Sequence, residues 1–581
     1  MAVIASLALV ACADSSPSGS GAVFTTIDEL QAIDVNAPIN PYNAKANEFG
    51  GYNKMQLAWG KNSLSNPNDL YPGLAAKWSL SADGTALTAH LQPGAKWSDG
   101  TPVTSKDVKT SVALGISQGN NPVTVDIVDA NTVTFTQAKG ATSNTFTTTM
   151  LTIPIVPDSF FGSHIPASIW TDAATASDTS ASPDAQAKAT AAIASLGKEL
   201  VGIGPKKDIS AGPFTLTRVN PGEAVLAKNP HFYDAGKIDP TQVVLKSYSG
   251  NEQIWGYLKG NQLDAAPYTS TPANVLKSIL AVKGIDSVSG LSQVSASLAF
   301  NQKVAPFDNV HVRRGIAYTI DRTTVTKIGE PTSGTASAST TGLIGASAKL
   351  FLGDTASALN PYNPDAAKAS AEFTKAGLVK RDGKWMLPNG DPFTVNIQVP
   401  NGFSDWIAGG KSITTQLVSA GITSQLESSA DYPTYLKDLA DGKFAAAFWL
   451  TSLGPGPYAA FQRVYGNANG WNASGANVSH SPAGTNGNWI GSPETQQVNG
   501  TSVNPGQLAA SLSHVPADEQ KKIVGQLAAL TNDQLPVIQL WDYVNVQFVN
   551  TNRFTHFPPE NSEALRLSPG VWMQLGYIKK K

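Results

Sequence analysis

Near residue 360 the hydrophobic rhythm changes, and this change limits the possible folds more than any other feature. Residues 364–376 carry helix spacing, with Pro364 in the first turn and Gly377 just past the end. Residues 393–399 alternate as a strand, 411–420 read as a helix stopped by Gly421, and 422–426 form another short strand. A helix over 432–440 and a wholly apolar strand over 444–450 follow. Strands that alternate with helices, one of them apolar on both faces, predict an α/β lobe whose sheet is covered by helices. Beyond a helix at 517–529, residues 536–549 read as a strand-like return, so the C-terminal end is expected to rejoin the first lobe. A chain of 581 residues is long enough for such a division into lobes.

The N-terminal half is β-rich. Asp83-Gly84 separates Lys77-Trp78-Ser79-Leu80 from the alternating Leu87 to Leu91, a hairpin signal, and Pro93-Gly94 and Asp99-Gly100 mark further turns. Thr104 followed by Asp107 predicts a capping box opening a helix through Val108 and Val112. Residues 166–200 are rich in Ala, Ser, Thr and Asp and read as a surface helix insert or a mobile excursion. Residues 466–505 are rich in Asn, Gly and Ser and read as a long loop.

Residues 2–11, AVIASLALVA, run into Cys12, the only cysteine. An apolar run of about ten residues is too short for a bilayer but fits a secretory leader. Leu9-Val10-Ala11-Cys12 has the lipobox pattern, although no Lys or Arg precedes the run. Cys12 is therefore the expected lipidation site, residues 1–12 the lipoprotein signal and 13–22 a flexible tether. One cysteine excludes an intrachain disulfide. The net charge of -2 gives no basic face for nucleic acid. No apolar run after residue 22 has the length of a transmembrane helix.

Catalytic motifs are lacking. The seven histidines are scattered, with no HExxH or CxxC, so no metal or other cofactor is expected. No GxSxG elbow is present. Gly409-Gly410-Lys411-Ser412 looks like the end of a phosphate loop, but its first glycine would fall at Asp405, so it reads as a turn before a helix.

Three blocks carry a family resemblance. The first runs Leu70-Tyr71-Pro72-Gly73-Leu74-Ala75-Ala76-Lys77-Trp78 through Lys96-Trp97-Ser98-Asp99-Gly100-Thr101-Pro102-Val103 to Asp107-Val108. The second comprises Ala211-Gly212-Pro213-Phe214, Asn229-Pro230-His231-Phe232-Tyr233 and Gly260-Asn261-Gln262-Leu263-Asp264. The third comprises Phe300-Asn301, Pro306-Phe307-Asp308-Asn309-Val310-His311-Val312-Arg313-Arg314-Gly315 and Ile320-Asp321-Arg322. Together they resemble the family 5 extracytoplasmic solute-binding proteins of ABC importers. The resemblance implies a two-lobed periplasmic-binding-protein clamp, α/β in class, with an extra small β-rich subdomain. The expected divisions are a first lobe over 23–293 with its subdomain at about 52–205, a second lobe over 294–530, and a return to the first over 531–581. It implies a monomeric, non-enzymatic receptor on the outer face of the membrane (or in the periplasm), serving an ABC permease and its ATPase. Arg313 and Asp321 are expected to form a structural ion pair.

For the ligand, the resemblance points to the strand ending at Trp449. Peptide binders of the family carry an aspartate shortly after that tryptophan, where it pairs with the peptide ammonium. Here Leu450-Thr451-Ser452-Leu453-Gly454 follows and the aspartate is missing. A buried ammonium without a partner is costly. The stretches Val399-Pro400-Asn401-Gly402-Phe403-Ser404-Asp405-Trp406 and Asn552-Arg553-Phe554-Thr555-His556-Phe557-Pro558 resemble those of cello-oligosaccharide binders. Sugar faces stack on aromatic rings, and the chain has 12 tryptophans. The expected ligand is a neutral oligosaccharide, with an oligopeptide second and nickel a distant third. The alternative of another class is an exported glycan-processing enzyme, which two carboxylates facing one cleft would support. The expected ligand-binding residues are Trp59, Asn301, Asn401, Asp405, Trp406, Trp449, Trp471 and Trp541. The plain alternative for each tryptophan is packing, and for Asp405 a helix cap.

Overall fold

The computed structural model describes residues 21–581 apart from 28–33, 44–45, 62, 65, 67, 121–122, 138–142, 179, 268, 291–293, 429, 453–455, 467–487 and 499. Cys12 and Trp471 lie outside the described residues.

In the first lobe, strands Phe214–Asn220, Glu223–Lys228 and Gln242–Lys246 pair antiparallel, and Val23–Ile27 joins the last of them in parallel. Against this sheet packs a four-stranded antiparallel sheet in the order Ala75–Leu80, Ala86–Leu91, Thr132–Gln137, Val123–Asp129. Gly84 turns its first hairpin with φ +72. The helix Ser105–Ser117 starts at the expected capping box: the Thr104 amide donates to Asp107 Oδ2 at 2.7 Å and the Lys106 amide to Thr104 Oγ1. The segment 166–200 is helical, Ser168–Ser177 and Pro183–Leu200. Its apolar residues Ile169, Ala173, Ala189 and Leu200 are buried.

The second lobe is built on a six-stranded mixed sheet in the order Gly334–Ala336, Val537–Tyr543, Ser295–Phe300, Ala446–Thr451, Thr394–Gln398, Thr423–Glu427. Thr394–Gln398 runs parallel to both its neighbours, and the remaining pairs are antiparallel. Ser295–Phe300 is buried at every position because sheet neighbours flank it and helices cover it. Tyr432–Ala440 is helical as expected. Part of the expected loop at 466–505 is instead a hairpin, Gln496–Val498 with Thr501–Val503.

The chain passes between lobes near two points, between Ile285–Gly290 and Ser295–Phe300 and between Val537–Tyr543 and Asn545–Asn550. The second crossing falls at Val544, later than the expected boundary at 531, because Val537–Tyr543 pairs with Ser295–Phe300 inside the second sheet. Asn545–Asn550 then pairs with Ile285–Gly290, and Phe554, Leu565, Trp572 and Ile578 complete the first-lobe core.

Two further expectations are corrected. Gly409-Gly410-Lys411-Ser412 is no turn; it lies inside the helix Ser404–Ser419. Its glycines serve packing: a Cβ on Gly409 would stand 3.0 Å from the buried Trp541 ring, and one on Gly410 2.6 Å from Leu426 Cδ1. Arg313 and Asp321 do not pair. The Arg313 guanidinium donates to the carbonyls of Gln534, Leu535, Phe307 and Asp308, while Asp321 caps the helix Arg322–Gly329 by accepting from the Thr323 and Thr324 amides. Carbonyls left over where helix 517–534 ends thus help to satisfy a buried cation that forms no ion pair among the described residues. Among the described residues no helix is long and apolar enough to cross a membrane, and no cluster of three His, Cys, Asp or Glu residues forms a metal site.

Candidate interlobe binding site

The lobes meet where two glycines face each other. Gly250 precedes the first-lobe helix Asn251–Lys259, and Gly402 precedes the second-lobe helix Ser404–Ser419. Side chains are excluded here: a Cβ on Gly250 would lie 2.6 Å from Gly402 Cα. The close approach lets the Asn251 amide donate to Gly402 O at 3.1 Å and Asn251 Nδ2 to Ser404 Oγ at 3.0 Å. Thr332 Oγ1 adds a bond to Thr271 O at 2.7 Å, and Asn144 Nδ2 donates to Leu512 O and Val515 O.

Beside this contact both lobes line a cavity of about 380 Å³. Ile254, Phe403, Trp406, Leu450 and Tyr543 give it an apolar and aromatic wall, and Asn251, Thr269, Ser270 and Asn545 add neutral polar groups. Its two charged residues are already engaged: Tyr543 OH donates to Asp405 Oδ2 at 2.5 Å, and Arg566 Nη1 donates to Lys61 O. Trp406 Nε1 donates in turn to Tyr543 OH at 2.8 Å, so one phenol satisfies the indole and the carboxylate together. A second cavity of about 730 Å³ shares Tyr248, Gly250 and Gly402 with the first and adds Asn401, Ser404, Asp431 and Tyr432.

The expected site residues divide accordingly. Asp405 and Trp406 line the first cavity and Asn401 the second. Trp449 is 2% exposed and lies behind the wall, edge-on to Trp406 with ring centroids 6.3 Å apart. Trp541 is fully buried against Phe448 and Tyr543. Trp59 packs in the first-lobe core and donates to Gln574 Oε1. Asn301 is used structurally, its amide donating to Gly442 O and Phe444 O. Trp59, Asn301 and Trp541 therefore line neither interlobe cavity; each satisfies its own lobe. Asn251, Ser270, Tyr543 and Asn545 carry no signal in the sequence because they are common polar residues in separate segments, and only folding brings them to one wall.

A second carboxylate lies close to Asp405. Glu330 is fully buried, its Oε1 accepting from Ser333 Oγ at 2.7 Å and its Oε2 lacking a donor among the described residues. Burial first, then the charge of Asp405, raises the Glu330 carboxyl to about 7. Burial also raises Asp405, against the lowering bond from Tyr543. Glu330 does not line either cavity, so the two carboxyls do not flank a bound bond as a glycosidase pair must.

The family model for bacterial extracellular solute-binding proteins, family 5 (middle), matches residues 69–472. The chain belongs to this family. A probable ABC transporter-binding protein of Deinococcus radiodurans is 26% identical over 300 residues, 45% of this chain and 46% of that protein. A probable D,D-dipeptide-binding periplasmic protein of Escherichia coli is 25% identical over 332 residues, 56% of each chain. The chain thus matches about half the length of these curated relatives. Among solved structures, a mannohexaose-bound periplasmic oligopeptide-binding protein of Thermotoga maritima superposes with a TM-score of 0.74 at 20% identity, covering 97% of this chain and 99% of that one. An oligopeptide-binding protein of Bacillus subtilis in complex with a nonapeptide gives 0.69 at 14%, covering 97% and 99%. These likenesses show the two-lobed α/β fold. The family is one of solute-binding proteins, not of enzymes.

Proposed function

We propose that this family 5 solute-binding protein captures a neutral oligosaccharide between its lobes and delivers it to an ABC permease and its ATPase, held outside the cell membrane by lipid on Cys12. The composition of the cavity wall carries this reading. Phe403 and Tyr543 offer aromatic surface backed by Trp406, itself 1% exposed; Asn251, Thr269, Ser270 and Asn545 add uncharged groups, and both charged residues are engaged within the protein. The strand end beyond Trp449 supplies no carboxylate for an ammonium. A cavity of about 380 Å³ that adjoins a second through shared residues suits a ligand of several units. The mannohexaose named for the Thermotoga protein is in keeping with such a cargo.

An oligopeptide is the second reading. It is favoured by Asp405, the one carboxylate among the residues lining the first cavity, and by the dipeptide named for the Escherichia coli relative. A thermal-shift panel of mannohexaose, cello-oligosaccharides and short peptides separates the two. A ligand at a hundred times its Kd adds about 2.7 kcal/mol of stability. Stabilisation by peptides with none by any sugar overturns the oligosaccharide reading.

A further inference from the structure

We propose that closure of the two lobes takes up one proton at the Glu330–Asp405 pair, so that solute capture is proton-linked. The argument begins with which lobe supplies each group. Glu330 and Asp405 both belong to the second lobe, at the end of one helix and the start of another. Their direct partners Ser333, Thr332 and Tyr543 belong to the same lobe, and first-lobe groups complete the enclosure. The Ser270 hydroxyl lies against both carboxyls, Asn251 Nδ2 stands 3.5 Å from Asp405 Oδ1, and Thr271 O holds Thr332, two residues beyond Glu330. Closing the clamp therefore removes water from two acids at once.

The protein supplies little to offset two negative charges there. Among the described residues no Lys, Arg or His bonds to either acid. The titratable neighbour is Tyr543, whose one proton points to Asp405 Oδ2. Asp542, next along the same strand, is committed to Ser295 Oγ and the Gly345 amide. Arg566, the cation on the cavity wall, is committed to Lys61 O. Among the described residues no group within hydrogen-bond distance donates to Glu330 Oε2, so a negative charge there is left uncompensated. A proton from water bound at Oε2 leaves one negative charge on the pair, held by the Tyr543 phenol.

The sign follows from burial. Burial in this structure lifts the Glu330 carboxyl to about 7, and opening that returned water to it would let it fall back towards the ordinary 4.5. The closed state binds the proton more tightly, so its advantage is complete below about 4.5 and is lost as pH rises through 7. One-proton linkage changes the closed-to-open ratio by at most about tenfold per pH unit within that window. As the acids interact, the proton belongs to the pair rather than to one residue alone.

The test uses ligand-free full-length protein, so it succeeds or fails independently of the sugar reading. Spin labels on Lys259→Cys and Lys411→Cys, in a Cys12→Ser background, report the interlobe distance from pH 5 to pH 8. The expected result is a shift towards the longer distance as pH rises. Glu330→Gln, a fixed stand-in for the protonated acid, should remain at the short distance throughout. Ser270→Ala removes a hydroxyl that favours the charged form and should move the midpoint to higher pH. Infrared spectra at pH 6 should show a protonated carboxyl band that Glu330→Gln lacks. A pH-independent distance in the parent protein, or an unchanged pH response in Glu330→Gln, overturns the proposal.

Discussion

Gly250→Ala should prop the clamp open while leaving each lobe intact. The backbone at Gly250 has φ 176 and ψ 175, an extended geometry that alanine adopts without strain. The obstacle is the other lobe: the new Cβ would stand 2.6 Å from both Gly402 Cα and Gly402 O. These are backbone atoms and cannot swing away. Relief to ordinary contact requires the lobes to part locally by roughly 1 Å. At that separation the Asn251 bonds to Gly402 O and Ser404 Oγ are lost. Two such bonds contribute about 1–3 kcal/mol net, so the closed state should become about 5- to 150-fold less populated. Where capture requires closure, affinity falls by the same factor. Interlobe distances give the first readout and hydrogen exchange at the Asn251 amide the second. Urea unfolding should show both lobes as stable as the parent. An unchanged interlobe distance together with a still-protected Asn251 amide would refute the reasoning.

The other predictions concern the second lobe. Gly409→Ala gains about 1 kcal/mol of helix propensity but overpacks Trp541 at 3.0 Å, a cost of about 1–3 kcal/mol, whereas Gly525→Ala gains the same propensity with nothing within 4 Å. Urea unfolding should therefore rank Gly525→Ala above the parent and Gly409→Ala at or below it; equal stability of the two variants would contradict the mid-helix packing role. Tyr543→Phe removes the donor to Asp405 and the acceptor for Trp406 Nε1, and should cost about 2–4 kcal/mol in the same measurement. A loss under about 0.5 kcal/mol would show that neither bond matters. The phenol's bond favours the charged acid, so its removal should also raise the Asp405 carboxyl further, which pH-dependent unfolding can follow.

Much of the fold was legible because it is encoded locally. The Thr104–Asp107 capping box, the Asp83-Gly84 turn and the helix Tyr432–Ala440 depend on residues within a few positions of one another. The glycine pair at 409–410 misled the same reasoning. Glycine favours a turn by its own backbone freedom, yet here it sits in a helix because Trp541 and Leu426, distant in sequence, leave no room for a side chain. Arg313 is a second such case: an arginine eight residues from an aspartate suggests a pair, while its partners are the nearby carbonyls of Phe307 and Asp308 and two carbonyls some 220 residues away, where a helix ends.

The sequence by itself determined the α/β second lobe, the β-rich start of the first and the family, since periodicity, turn residues and signature blocks act over short stretches of chain. It also singled out Asp405 and Trp406. Only the tertiary structure decided where the tryptophans stand, because a ring's surroundings depend on what packs over it: Trp541 and Trp59 are enclosed by their own lobes, and Trp406, itself 1% exposed, lies at the cavity lining. It alone brought Ser270 of one lobe to Glu330 and Asp405 of the other. Desolvation and the proximity of like charges are properties of three-dimensional enclosure, and the chemistry of that pair arises where the lobes meet.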